Sequence, residues 1–230
     1  KSLVVPILYV GIPILLVFMQ PDLGTSLVYI AIFVGMLFVS GIRLRLVRII
    51  ATVGVLLMPL AWFVLKDYQK QRILVFMNPD IDPFGSGYHI IQSKIAIGSG
   101  TIFGKGLFNG TQSQLNFLPE NHTDFIFSVI GEELGFIGCI FVLILLFMLI
   151  YRSIKVAYSC NDRFGMLLAT GIGSMLCFEV LVNAGMTMGI MPVTGIPLPF
   201  ISYGVSALTT NMISVGILLN ISMQRKKYIF

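Results

Sequence analysis

The side chains best suited to chemistry lie in one polar run, Thr111–Phe136, that leads into a long apolar segment. Asp124 is the last charge before the apolar residues begin, and Glu120, His122 and Thr123 precede it closely. A carboxylate within hydrogen-bond reach of a hydroxyl can act as a general base. Its place at the start of a predicted helix also suits a helix cap, because the orphan N–H groups and the helix dipole favour negative charge. The two interpretations do not exclude each other.

Four more polar residues lie within apolar segments, where charge is costly unless it is paired. Glu132 and Glu133 follow Asp124 by two helical turns, about 12 Å at the standard rise, and structural pairing is the favoured interpretation. Glu179 and Asn183 are one turn apart, and a local hydrogen bond between their side chains is predicted.

The sequence does not indicate a metal site. The two histidines, His89 and His122, have no ligand spacing around them, so capping or interfacial roles are predicted. The three cysteines fall in or beside apolar stretches. Their number is odd and their spacing is not that of metal ligands, so neither a disulfide framework nor a metal site is predicted. The cysteines are Cys139, Cys160 and Cys177.

Composition places these residues in a membrane protein. Of the 230 residues, 57% are hydrophobic and 11% are charged, and the mean hydropathy is +0.94. Soluble domains carry roughly 25% charged residues. Backbone groups in hydrocarbon must be satisfied within helices or a closed barrel, and the long unbroken apolar runs favour helices. The net charge of +5 comes from short clusters between these runs, which indicates membrane orientation rather than nucleic-acid binding.

Six apolar segments are long enough to span a bilayer, which takes about 20 residues per helix. Lysines and arginines fill alternate connections, and by the positive-inside rule these connections and both ends of the chain are cytoplasmic. The connection 66–124 is then extracytoplasmic. The chain is predicted to be a single all-α membrane domain, a polytopic helical bundle with spans near 3–19, 22–40, 47–65, 125–151, 165–190 and 200–222.

The connection 66–124 is too long and too apolar for a solvated linker, so it is predicted to be partly helical and to fold onto the membrane surface. A short interfacial helix is predicted over Tyr88–Ile97. Ile91, Ile95 and Gly98 lie on one stripe of that helix. His89, Ser93 and Lys94 lie nearer the other face.

Three further features are predicted around the spans. Asp22 follows Pro21 ahead of an apolar run, so it is predicted to cap the next helix, with a site role as the alternative. The Pro-rich stretch 192–199 is irregular, and irregular backbone at membrane depth must be buried or line a cavity. A stripe of small residues on the fourth span predicts a close helix contact: Ser128, Gly131, Gly135 and Gly138.

Four sequence runs resemble, in order and across nearly the whole chain, the motifs of the RodA/FtsW/SpoVE (SEDS) family. They read QPDLGTS, YQKQRILVFMNPDIDPFGSGYHIIQSKIAIGSG with GKG, GTQSQLNFLPENHTDFIFSVIGEELG, and GIPLPFISYG. The YHIIQSKIAIGSG wording is closest to the elongation-type members. Thr101 and Val205 stand where glycine is usual. The resemblance implies a ten-helix fold of which this chain is the last six helices, with four helices upstream.

The resemblance implies a peptidoglycan glycosyltransferase in the bacterial cell membrane that polymerises lipid II for cell-wall elongation and cell shape. The family's essential aspartate falls on Asp124, the expected general base. Lys94 and Lys105 are the candidate cations for the pyrophosphate leaving group, and a divalent cation would serve the same end, with no other cofactor indicated. The expected partners are lipid II, membrane lipids and a class B penicillin-binding protein. The other predicted substrate-binding residues are Gln92, Glu120, His122, Thr123 and Ser202.

Two alternatives from other functional classes stay open. A lipid II flippase would use the intramembrane polar residues as a headgroup path, although alternating access favours a site near the midplane. A non-catalytic scaffold would use the glycine-rich helix faces to hold a penicillin-binding protein. Because the substrate cavity would include the upstream helices, this chain alone is expected to be inactive.

Overall fold

The computed structural model describes residues 4–41, 65–83, 85–115 and 117–224, together with residues 52, 56 and 63. Every regular element within these residues is helical, which confirms the predicted all-α class. The elements are α1 (Val4–Met19), α2 (Leu23–Val39), α3 (Asp67–Met77), a 3-10 turn (Pro79–Ile81), α4 (Ser86–Ser99), α5 (Thr111–Gln114), α6 (Ile126–Tyr158), α7 (Arg163–Thr187) and α8 (Val205–Gln224).

Three of the described helices, α6, α7 and α8, are long and apolar enough to cross a membrane, and α1 and α2 are shorter apolar helices. All five lie where spans are predicted from the sequence. The predicted third span, 47–65, falls almost wholly outside the described residues. Two of the basic clusters on which the predicted orientation depends also fall outside them: Arg43, Arg45 and Arg48, and Arg225, Lys226 and Lys227.

The chain forms two compact units, and α2 packs on α7 within the first. A Cβ added at Gly35 would overlap the Ser174 side chain, and one added at Gly171 would lie 3.3 Å from Met36 Sδ. The missing side chains thus let the two helices approach closely. The first unit comprises 1–67, 151–178 and 214–230, and the second comprises 68–150 and 179–213.

Asp22 caps the N-terminus of α2. Its carboxylate accepts the Thr25 amide at 3.0 Å and the Thr25 hydroxyl at 2.6 Å. These bonds satisfy one of the orphan amides of the helix start. The capping interpretation of Asp22 is therefore confirmed.

The helix α6 is interrupted at Gly135, where φ is 65° and ψ is −164°. This backbone region is essentially restricted to glycine, and a Cβ there would overlap the Gly104 amide nitrogen. The segment 101–106 fills the interruption and satisfies the backbone groups on both sides of it. The bonds run from Lys105 N to Glu132 O (3.0 Å), Gly106 N to Glu133 O (3.0 Å), Phe136 N to Thr101 O (3.0 Å) and Ile137 N to Ile102 O (3.2 Å).

Small residues bring α4 against the first half of α6. The Ser93 and Ser128 hydroxyl oxygens are 2.6 Å apart, and a Cβ on Gly100 would overlap the Gly131 carbonyl. Of the predicted small-residue stripe, Ser128 and Gly131 therefore form a close contact with α4. Gly135 lies against 101–106, whereas the atoms nearest to a Cβ on Gly138 belong to Leu134 of α6 itself. The predicted division of α4 is wrong in one respect, because Ser93 is fully buried while Ile95 is 45% exposed. The small hydroxyl, rather than the larger apolar side chain, allows the two backbones to approach.

Thr101 and Val205, which stand where the family usually has glycine, differ in the backbone strain they impose. Thr101 has φ of 51°, in the left-handed region that glycine adopts more easily than other residues. Val205 is the first residue of α8 and has no positive φ. Only the first departure therefore falls on backbone that favours glycine.

Candidate functional site

Asp124 lies in the turn just before α6, and hydrogen bonds hold the backbone of that turn in place. The carbonyl oxygens of residues 122–124 accept, in order, the Tyr203 amide at 2.8 Å, the Ser202 hydroxyl at 2.7 Å and the Asn183 side-chain amide at 2.9 Å. Three consecutive carbonyls are thus bound to α7 and to the segment after it. The position of Asp124 is fixed by residues far away in the sequence.

The Asp124 carboxylate itself makes no hydrogen bond or ion pair within the described parts of the chain. The side chain is partly buried. Gly195, with φ of 77°, lies so close that a Cβ there would be 3.4 Å from Asp124 Oδ2. The carboxylate accepts no backbone amide of α6, so the helix-cap interpretation is wrong. Its oxygens accept no donor from the described residues.

Three titratable side chains act electrostatically on this carboxylate: Glu120, Arg72 and His89. Burial raises the pKa of Asp124 above its ordinary value and Glu120 raises it further, while Arg72 and His89 lower it. A carboxylate with a raised pKa is a stronger base than an ordinary aspartate. The Thr123 hydroxyl donates to Glu120 Oε2 at 3.0 Å, which holds Glu120 within the same turn.

His89 is on α4 and is not predicted from the sequence to belong to this site. Its ring stacks on Phe125, with centroids 6.0 Å apart and planes 11° from parallel. Its Nδ1 atom is buried without a hydrogen-bond partner in the described residues. Burial lowers the pKa of His89 and outweighs the opposing charges of Glu120 and Asp124.

Arg72 is the second residue that the sequence does not single out. It is on α3, where its guanidinium donates to the Val193 carbonyl at 3.3 Å and lies 5.8 Å from the centroid of the Tyr68 ring. Val193 belongs to the irregular stretch that also carries Gly195. The only signal in the sequence is that Arg72 is the single arginine of the connection 66–124.

The two predicted cations have different surroundings. Lys105 is ion-paired with Glu132 at 2.8 Å and donates to the Thr111 hydroxyl at 2.8 Å. Lys94 is exposed and has no ion pair with any described residue. A Cβ added at Gly189 would overlap the Lys94 side chain, so this glycine makes room for it. Lys94 is the freer of the two cations.

The remaining predicted binding residues divide into two groups. Glu120, His122 and Thr123 lie in the Asp124 turn, and His122 is exposed. The Ser202 hydroxyl is engaged structurally, because it donates to the Thr123 carbonyl and accepts the Leu198 amide at 2.7 Å. On α4, the Oε1 atom of Gln92 is buried and finds no partner in the described residues.

Glu132 is completely buried, and donors enclose its carboxylate. The structure thus confirms the pairing interpretation of this residue. Its neighbour Glu133 has one long hydrogen bond among the described residues, from Gln114 Nε2 at 3.4 Å. The donors to Glu132 are Lys105 Nζ (2.8 Å), Gln112 N (2.9 Å), Ser113 N (3.1 Å), Ser113 Oγ (3.2 Å) and Thr111 Oγ1 (3.2 Å).

The predicted bond between Glu179 and Asn183 is wrong. The Asn183 side-chain nitrogen donates instead to the carbonyls of Asp124 and Ile196, at 2.9 and 2.8 Å. Both hydrogens of the Asn183 amide are thus used by backbone carbonyls. The Oε2 atom of Glu179 is buried and has no partner in the described residues.

Comparison with known proteins points to one family. The model of the FtsW/RodA/SpoVE family, described as cell cycle protein, matches residues 1–227. The chain is 47% identical over 227 residues to the peptidoglycan glycosyltransferase MrdB of Escherichia coli. That match covers 98% of this chain and 61% of MrdB, so the chain spans about three-fifths of the length of this relative.

Two chains of known structure are similar in both fold and sequence. One comes from work on the structural coordination of polymerization and crosslinking by a peptidoglycan synthase complex, with a TM-score of 0.78 and 33% identity. The match covers 96% of this chain and 62% of that one. The other is the rod shape determining protein RodA of Thermus thermophilus, with a TM-score of 0.64, 31% identity, and coverage of 96% and 56%.

Proposed function

Because this chain belongs to the FtsW/RodA/SpoVE family, we propose that the full-length protein is a peptidoglycan glycosyltransferase that polymerises lipid II for cell-wall elongation. The observation that carries the proposal is the carboxylate of Asp124, which is held on a fixed turn and free of hydrogen bonds within the described residues. The name of a relative, the peptidoglycan glycosyltransferase MrdB, supports it.

In the proposed reaction Asp124 is the general base. Its carboxylate takes the proton from an acceptor sugar hydroxyl while the hydroxyl oxygen attacks the anomeric carbon of the donor. The new carbon–oxygen bond forms as the bond from that carbon to the lipid pyrophosphate breaks. The pyrophosphate leaves with the electron pair. It is a good leaving group, so the second carboxylic acid that glycosidases use is dispensable.

The leaving pyrophosphate needs positive charge near it. Lys94 is the better of the two predicted lysines, since the charge of Lys105 is already compensated by Glu132 at 2.8 Å. Arg72 is a further candidate, because it acts electrostatically on Asp124. A divalent cation would serve the same electrostatic end.

The proposal puts Asp124 and the connection 66–124 on the extracytoplasmic face, with both ends of the chain in the cytoplasm. A class B penicillin-binding protein is the proposed partner. The similarity to a chain from a peptidoglycan synthase complex that coordinates polymerization and crosslinking supports this partner.

The test is a polymerisation assay with purified full-length protein and lipid II. The Asp124→Asn variant should lose polymer formation by about 100-fold or more, because a general base contributes about that much or more to the rate. The matched control is Asp80→Asn, the same chemical change at an exposed residue of the same connection. It should polymerise like the unmodified protein.

Folding is checked by the melting temperature of both variants. Asp124→Asn should melt no lower than the unmodified protein, because it removes a carboxylate that accepts no hydrogen bond from the described residues and that burial penalises. Normal polymerisation by a well-folded Asp124→Asn variant would refute the assignment. Absence of polymer from the unmodified full-length protein would instead favour the scaffold interpretation.

A further inference from the structure

The segment 101–108, which follows α4, exposes four large apolar side chains. Ile102, Phe103, Leu107 and Phe108 are 57%, 80%, 62% and 79% exposed. Contiguous exposed apolar surface on a folded chain marks an interaction site. The patch therefore calls for an apolar partner or medium. The level of the segment along α6 indicates which.

Hydrogen bonds fix the level of the segment along α6. The carbonyls of Thr101 and Ile102 accept the amides of Phe136 and Ile137. These two residues lie at the start of 134–151, the uncharged stretch of α6. That stretch is about 27 Å long at the helical rise and so matches a hydrocarbon core of about 30 Å. The segment 101–108 thus lies at the edge of the hydrocarbon.

The exposed apolar surface of α6 continues onto this segment. On α6 the side chains at this level are themselves exposed and apolar. Side chains of 101–108 and of α6 that lie at the same depth in the membrane contact the same medium. These residues of α6 are Leu134 (39%), Phe136 (63%), Ile137 (51%), Ile140 (40%) and Phe141 (61%).

The segment also meets the polar requirements for entering hydrocarbon. Irregular backbone there must be satisfied by protein, and charge must be paired. The interrupted ends of α6 bond to four residues of 101–106. Lys105, the one charge of the segment, is neutralised by Glu132, which is completely buried.

We propose that 101–108 is a membrane anchor whose four apolar side chains contact the acyl chains of bilayer lipids. The contact lies on the side of the membrane where Asp124 is found. Interfacial segments bind membranes by burying apolar side chains to this shallow depth. The proposal does not depend on the catalytic role of Asp124.

Nitroxide labelling measures the contact directly. In full-length protein with its native cysteines replaced, single labels are placed by Phe103→Cys and Phe108→Cys, and the protein is reconstituted into phosphatidylcholine–phosphatidylglycerol vesicles. Collisions of the label with oxygen, which concentrates in hydrocarbon, are compared with collisions with a water-soluble nickel chelate. Phe136→Cys gives the hydrocarbon reference and Asp80→Cys gives the water reference on the same connection.

Both loop labels should give an oxygen-to-nickel ratio close to that of the Phe136 label and several-fold above that of the Asp80 label. Ratios close to the Asp80 label at both positions would overturn the proposal and leave the patch to a protein partner. Because the two loop positions are read independently, a misfolded variant at one of them still leaves the other to decide. Polymerisation by the unlabelled protein is not the readout, so failure here is distinct from failure of the catalytic proposal.

Discussion

Asp124 and Glu132 are two carboxylates of one stretch of chain in opposite surroundings. Glu132 is enclosed by donors from α5 and by the Lys105 ammonium, so its charge is already compensated. Asp124 lies near Glu120 and Arg72, and its carboxylate accepts no hydrogen bond within the described ranges. The first therefore stabilises the loop, whereas the second is available for chemistry. Residue type and spacing predict the location of both but not this difference, because the donors come from elsewhere in the chain.

The pH dependence of polymerisation should respond to the neighbours of Asp124. Glu120→Gln removes a negative charge that raises the pKa of Asp124, so the pKa should fall. A base works only when deprotonated, and activity is lost as pH falls through its pKa. The acid limb of the kcat/KM profile should therefore move to lower pH.

Arg72→Gln is the companion variant, and it should shift the pKa of Asp124 in the opposite direction. It removes a positive charge that lowers the pKa of Asp124, so the acid limb should move to higher pH. Both profiles are measured with full-length protein across the acidic range. Limbs that move together, or that do not move, would contradict the assignment of Asp124 as the base.

At the scale of elements, the interrupted α6 is the main feature that the sequence does not reveal. The apolar run predicts one continuous span over 125–151, because Gly135 fits the pattern of small helix-contact residues. The structure has two helical halves, 126–134 and 136–158, with 101–106 bonded to both. Such an interruption depends on a loop that is distant in sequence, so helical periodicity does not predict it.

The buried ion pair should contribute strongly to stability. Glu132→Gln leaves the Lys105 ammonium without its partner, and the free energy of unfolding should fall by about 3 kcal/mol, the lower end for a broken buried pair because Lys105 reaches solvent. Thermal or denaturant unfolding of the full-length protein in detergent measures this loss of stability. Glu133→Gln is the matched control, and because its one described hydrogen bond is 3.4 Å long it should cost less. Equal losses would show that Glu132 has no special role.

Gly135→Ala should be destabilising through the backbone. The change forces a Cβ into a conformation restricted to glycine, at a cost of about 1–3 kcal/mol, and overlaps Gly104 as well. The control is Gly98→Ala on α4, where an added Cβ meets nothing within 4 Å. There the helix should gain slightly, by up to about 1 kcal/mol. A Gly135→Ala variant as stable as the control would contradict the interruption of α6.

For the whole molecule, the apolar runs predict the class and the location of the described apolar helices, because bilayer thickness dictates helix length. The Asp124 turn depends instead on contacts between distant segments. Tyr203 and Ser202 bind it from one segment and Asn183 from another, and Arg72 approaches from α3. No periodicity encodes such contacts, so the sequence singles out Asp124 but not the residues that hold its turn.

Polymerisation and transport can be separated in liposomes that contain the full-length protein. Labelled lipid II should be polymerised, and its headgroup should cross the bilayer no faster than in protein-free liposomes. The polar cluster of the described residues gathers around the Asp124 turn before α6, whereas alternating access requires a site near the midplane. Headgroup transfer that survives Asp124→Asn would support the flippase alternative.

Because α6 is interrupted at Gly135, its first half can rotate about that residue as a rigid unit. The rod 126–134 is at most about 14 Å long, and Asp124 lies at its far end. A rotation of about 10° at Gly135 would move the carboxylate by roughly 2 Å, and a displacement of about 1 Å can cost about 100-fold in rate. The four hydrogen bonds between 101–106 and α6 therefore resist this rotation. If Asp124 is the proposed base, a force that bends α6 at this point would change the reaction rate.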